Sequence, residues 1–214
     1  MEKKTDFKAL SNKAKIQYIW DYYRWPIIGV IIAVAFVGSV IHHYVTYRKP
    51  LLNIIMTNCS DPFSADASGY DEFLAAYGYD AEESPISLLT SLSFPKENPS
   101  QAYNDYQVLA TMVAAGEQDL FFGTGEAFLN YAEQGALLNL STVLPAETLE
   151  KYEDHLIYST DAGESEPYPC AIELTDNEWV KKNNYYASSC YFGIFYRNQN
   201  LEACKQFAEF LLNY

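Results

Sequence analysis

The sequence predicts an α/β domain, a mostly parallel sheet covered by helices on both faces in a three-layer sandwich, carried behind one N-terminal transmembrane helix. Three observations predict it: an uncharged run of 22 residues near the start, short apolar runs alternating with helical patterns after it, and an abrupt change of charge between the two parts. The chain has 214 residues, 49% of them apolar and 16% aromatic. Burial of that much apolar surface offsets the conformational entropy lost on folding, so the body is not disordered.

Residues 1–25 form a basic, aromatic segment. They hold six basic side chains (Lys3, Lys4, Lys8, Lys13, Lys15, Arg24) against three acidic ones, a net +3. From Pro26 to Tyr47 no residue is charged. As a helix those residues extend about 33 Å, enough to cross a bilayer core of about 30 Å. Trp20, Tyr22, Tyr23 and Trp25 crowd one end and Tyr44 and Tyr47 the other, as rings that favour the headgroup zone do. Only Arg48 and Lys49 follow the run, so the positive charge lies on its N-terminal side and orients that side to the cytoplasm. Ile16, Ile19, Trp20 and Tyr23 recur at helical spacing, which predicts an amphipathic helix over 11–25 that lies on the inner leaflet or runs into the span. Cleavage as a secretory signal after Ala35 would leave an apolar core of only Pro26–Ile32 and would cut inside the run, so 26–47 reads as an anchor. Cys59 follows Met-Thr-Asn, which is no lipoprotein signal.

Residues 51–214 carry 25 acidic and six basic side chains, a net −19, and are expected outside the cell. Nucleic acid is excluded as a partner, because its binding rests on Lys and Arg displacing counterions. The run 51–58 reads as a strand buried on both faces, 68–79 as a helix ended by Gly78, and 85–94 as a second strand. Helix 98–116 has Asn98 as cap, Pro99 in first position, Gln101 completing a capping box and Gly116 as terminator. Ala102, Tyr106, Leu109 and Val113 form its apolar stripe. A third strand spans 119–122; Thr124 caps the next helix, which faces Phe128, Tyr131 and Ala132 inward and ends at Gly135. A short helix over 144–156 has Pro145 in first position. The pattern then changes to extended segments around a polar loop (157–176), a strand-like run (188–198) and a closing helix with Leu201, Cys204, Ala208 and Leu211 on one face. Cys59, Cys170, Cys190 and Cys204 show no zinc spacing, and both disulfides and free buried thiols fit the sequence.

The stretch from Asp119 to Leu144, with Gly135, Leu137 and Leu140 spaced as G-x-L-x-x-L, resembles a segment of the extracytoplasmic solute-binding proteins that serve sugar-importing ABC transporters. Pro167-Tyr168-Pro169 and the run from Tyr191 through the N-x-E-A at Asn200–Ala203 are similar to later segments of that family. The resemblance covers 51–214 and implies one lobe of a periplasmic-binding-protein-like fold. Family members close two lobes on a ligand, and this chain has material for about one.

Loops at the carboxyl ends of parallel strands are where such sheets bind ligands. The ligand-binding candidates are therefore Asn58 and Ser60 after the first strand and Gly123, Thr124, Gly125 and Glu126 after the third. Against a ligand role, the glycines can serve only the turn and Thr124 only the cap. Gly-Thr-Gly lacks the Lys-Ser/Thr of a phosphate loop, and no cofactor is expected. His155 beside Asp154 reads as a solvated surface residue, the acidic clusters 80–83 and 164–166 lack calcium-loop spacing, and neither a catalytic nor a metal-binding residue is expected. The expected functions are a tethered, non-enzymatic binding module for a sugar or peptide, or an accessory subunit docking on another membrane or envelope protein.

Overall fold

The structure, a computed structural model, describes residues 11–159, 166–187 and 189–214. Lys3, Lys4, Lys8 and Glu164 lie outside the described residues, as do the side chains of Ile19 and Tyr22. Residues 1–47 and 48–214 form two separate compact units.

In the first unit a single helix, α1 (Asn12–Thr46), runs unbroken through Pro26. Residues 12–25 of the basic segment and the apolar run therefore share one helix. Its stretch Tyr23–Thr46 is long and apolar enough to span a membrane, at 24 residues or about 36 Å. Pro26 sits inside the helix rather than at its start; a proline there has no N–H to give to the helix, which continues through it.

The second unit is α/β, built on a mixed six-stranded sheet in the order β2-β1-β3-β6-β5-β4. Strands β1 (Leu52–Met56), β2 (Ile86–Leu89) and β3 (Leu120–Gly123) are joined through the helices α2 (Asp71–Tyr77) and α3 (Pro99–Ala115), and their two pairings are parallel. The other three pairings are antiparallel: β3 with β6 (Cys190–Ile194), β6 with β5 (Tyr168–Leu174), and β5 with β4 (Leu156–Ser159). The expected mostly parallel sheet is thus corrected to a mixed one. A helix-length crossover is needed only between parallel neighbours, whereas β4 and β5 pair antiparallel and lie close together in sequence.

Alternate residues of the strands enter two separate cores. Ile54, Met56, Leu120 and Phe122 join α2, α6 (Glu178–Asn183) and α7 (Leu201–Leu212) on one face. Ile55 and Phe121 join α3 and α4 (Gly125–Glu133) on the other. The first core centres on Trp179, fully buried, with its indole N–H donating to the Gly69 carbonyl at 3.0 Å and its ring 5.1 Å from Tyr70 and 5.5 Å from Phe207. Buried aromatics in contact add to the stabilisation from burial alone.

Local punctuation explains most helix ends. Asn98, Asn177 and Asn200 each accept a hydrogen bond from the backbone N–H three residues on, opening α3, α6 and α7. Gly78 and Gly116 close α2 and α3 in the left-handed region. Three local expectations change. Pro145 precedes α5 (Ala146–Lys151) as its cap residue rather than occupying the first turn. The Gln101 amide donates to Ser93 Oγ, so only half of a capping box forms. Leu201, 40% exposed, lies off the buried face of α7, where Phe207 and Leu212 take part instead. All four cysteines are free, Cys59 half-buried and the others buried.

Candidate functional site

Because β1 and β3 are parallel neighbours, the segments that follow them emerge at the same edge of the sheet. Asn58 joins them. Its φ of 57° lies in the left-handed region, which asparagine tolerates better than most residues. In that conformation its Oδ1 accepts the Phe94 N–H at 2.8 Å and its Nδ2 donates to the Thr124 carbonyl at 3.1 Å. One side chain thereby ties the ends of β1, β2 and β3 together.

The two glycines have different jobs. Gly125 opens α4 with φ 73° and has open space around it. Gly123 is buried, and a Cβ there would lie 2.4 Å from Thr57 Oγ1 and 3.2 Å from Phe128 Cδ2. Gly123 is thus required for close packing of β3 rather than for a turn. Thr124 stands in the cap position with extended backbone, but its hydroxyl makes no capping bond. The expected Thr124 cap is therefore one of position alone. Glu126 is exposed in the first turn of α4, where its charge favours the positive helix end.

Above Asn58 lies a cavity of about 710 Å³. Four of the six candidates line it: Asn58, Thr124, Gly125 and Glu126. Its remaining wall includes Phe94, Lys96, Tyr103 and Tyr106. The rings of Phe94 and Tyr106 are 4.5 Å apart, while Tyr103 is 64% exposed. Gly123 and Ser60 are not among its lining residues; Gly123 is buried, and Ser60 is exposed with its N–H donating to the Tyr185 carbonyl at 2.9 Å. The aromatic wall comes from Phe94, expected at the end of the second strand (85–94) but lying beyond β2, and from Tyr103 and Tyr106 on α3. Tyr106, read as core, is half-buried and belongs to this wall.

A second, smaller cavity of about 310 Å³ includes Tyr131, Gln134, Phe195, Tyr196 and Arg197 in its lining. The segment carrying Arg197 is set by Asp119, another residue whose role sequence reading did not find. Asp119 is fully buried: its Oδ2 accepts the Asn53 N–H at 2.8 Å, and its Oδ1 accepts those of Gln199 at 2.6 Å and Asn200 at 3.1 Å.

Among the described residues no three His, Cys, Asp or Glu side chains are grouped so as to hold a metal ion. His155 lies half-buried in the single turn before β4. Burial raises the thiol pKa of Cys59 despite its contact with the Tyr186 hydroxyl, so its sulfur is not set up as a nucleophile.

Comparison with known proteins adds no relative: no family model, no curated protein and no solved structure matches this chain.

Proposed function

We propose that α1 crosses a membrane through residues 26–47 with its N-terminus in the cytoplasm, and that 51–214 is an extracytoplasmic, non-enzymatic binding domain for a sugar or peptide. The observation that carries the binding reading is the cavity at the strand ends. It combines exposed and half-buried rings (Tyr103, Phe94, Tyr106) with polar groups at Thr124, Glu126 and Lys96, the mix of apolar wall and few polar contacts that small-ligand sites use. Packing of α2, α6 and α7 on one face of the sheet and α3 and α4 on the other supports reading the domain as a three-layer lobe of the solute-binding type.

Calorimetric titration of the whole chain in lipid nanodiscs with neutral disaccharides and with dipeptides tests the function. Binding by one class, weakened at least tenfold in Tyr103→Ala, is expected; no heat from any member of either class ends the binding reading. A reporter fused after Tyr214 tests the orientation, and activity in the cytoplasm overturns it.

Phe63 favours the second reading, an accessory subunit docking on another membrane protein. It is 97% exposed on a turn held by Asp61, whose Oδ1 accepts the Phe63 and Ser64 N–H groups, and by Thr90, whose hydroxyl donates to the Pro62 carbonyl at 2.8 Å. A large ring presented on a fixed turn suits an anchor in a partner's pocket. Photo-crosslinking from position 63 in cells to one discrete protein would select that reading over ligand capture.

A further inference from the structure

We propose that the ligand is a linear oligosaccharide bearing isolated carboxylates, lying lengthwise along the seam between α3 and α4; this rests on the binding reading above and extends it from one cavity to two. Both cavities lie on this seam. The larger takes Tyr103 and Tyr106 from α3 and the first turn of α4, and the smaller takes Val113 and Ala114 from α3 and Tyr131 from near the end of α4. The two helices therefore run in the same direction with a cavity at each end. From Ala102 to Val113 the seam extends about 16 Å, longer than a single sugar or amino acid.

Between the cavities the floor is aromatic. Tyr106 lines one and Tyr131 the other, with ring centroids 6.4 Å apart and planes within 19° of parallel. Both are half-buried, while Tyr103 and Tyr196 stand 64% and 67% exposed at the two ends. A row of flat, partly wet rings with polar tips offers the apolar faces on which sugar rings stack and the hydroxyls that bond sugar hydroxyls. A chain of sugars uses such a row more fully than one ring can.

The charges choose the kind of oligosaccharide. Six basic side chains serve residues 51–214. Lys181 and Lys182 pair with Asp176 and Glu72, and Lys151 donates to the Leu212 carbonyl at 3.3 Å. Lys96, Arg197 and Lys205 have no carboxylate within ion-pair distance among the described residues; Lys96 and Arg197 line the two cavities, one each, and Lys205 lines neither. In a domain with 25 acidic side chains, two unpaired cations at the two ends of an aromatic groove are placed to receive carboxylates from outside, Arg197 by a two-pronged hydrogen bond. Glu126 lines the larger cavity as well, which disfavours a dense polyanion. A ligand alternating neutral and carboxylate sugars meets both conditions.

The test titrates the whole chain in nanodiscs with a hyaluronan tetrasaccharide, whose uronates alternate with neutral sugars, with neutral chitotetraose, and with a tetraglutamate peptide. The hyaluronan fragment is expected to bind roughly tenfold tighter than chitotetraose, and Lys96→Gln and Arg197→Gln each to weaken it roughly tenfold while leaving the melting temperature unchanged, the loss of one charge-assisted contact. Weakening by Lys96→Gln but not by Arg197→Gln confines the ligand to the strand-end cavity and overturns this proposal while leaving the binding reading intact. Tetraglutamate binding as tightly, with the same dependence on both cations, overturns the sugar assignment. Absence of binding by all three overturns the seam; binding of disaccharides or dipeptides then decides the wider reading separately.

Discussion

Replacing Asp119 with alanine removes the acceptor for three backbone N–H groups, those of Asn53, Gln199 and Asn200. These donors lie at the start of β1 and in the turn between β6 and α7, so one carboxyl group fastens two chain segments to the start of β3. A buried donor left without an acceptor costs about 1–3 kcal/mol. Gln199 is exposed and its N–H can be rehydrated, whereas Asn53 and Asn200 are half-buried. The expected loss for Asp119→Ala is therefore about 4 kcal/mol, a large share of the roughly 5–15 kcal/mol that a domain has in all. Asp119→Asn separates the contributions. Its amide keeps one carbonyl oxygen for Gln199 and Asn200 but turns an N–H₂ toward the Asn53 donor, so it should lose about 2 kcal/mol. Urea unfolding followed by Trp179 emission, in a W20F/W25F background, measures both. A loss under about 1 kcal/mol for the alanine variant, or an asparagine variant as unstable as alanine, refutes the account.

Three further outcomes follow from the same geometry. Asn58→Gly keeps the left-handed backbone but loses the bonds to Phe94 and Thr124, while Asn58→Ala loses them and adds strain of order 1 kcal/mol; glycine should be the more stable of the two in urea, the reverse of the usual order, and the opposite ranking would sink the role assigned to φ at this position. Gly123→Ala should destabilise by about 1–3 kcal/mol through overpacking against Thr57 and Phe128, and Thr57→Ala in the same chain should recover part of the loss; no recovery would show that the contact with Thr57 is not the cause. Burial pushes the Cys190 thiol from 9.0 up to about 12, so the folded chain keeps a proton that the unfolded chain releases. Its stabilisation is complete below about pH 9 and falls as pH rises toward 12, by at most about 1.4 kcal/mol per pH unit; a Cys190→Ala variant whose urea midpoint declines as steeply over that range would contradict this.

What the sequence made legible is what short-range chemistry decides. Helix α3 could be read almost to the residue because Asn98, Pro99 and Gly116 act within one turn of its ends. Helix α6 escaped notice because six residues between Asn177 and Asn184 leave no room for an apolar period. The antiparallel half of the sheet was hidden for another reason: β5 pairs with β6 across the excursion through α6, and alternation of strand and helix does not encode direction. Asp119 looked like the polar start of a strand, since its three donors come from residues 66, 80 and 81 positions away.

The candidate site divides along the same line. Parallel β1 and β3 were enough to bring Asn58 and Thr124 to one edge, but Phe94 of the aromatic wall is held there by long-range bonds, its N–H to the Asn58 side chain, the Asn58 N–H to the Leu92 carbonyl and the Ser93 N–H to Asp105. Asn58 itself has both ends of its amide engaged within the fold, so its contribution is to position the loops rather than to touch a ligand. Under the proposed binding role, recognition falls to the exposed ring of Tyr103 on α3 and the amine of Lys96, which has no ion-pair partner among the described residues. A Tyr103→Ala chain should therefore fold as the parent does and bind poorly, whereas Asn58→Gly should lose stability and binding together. Finding the two effects exchanged would place the ligand against the strand ends instead of along the aromatic wall.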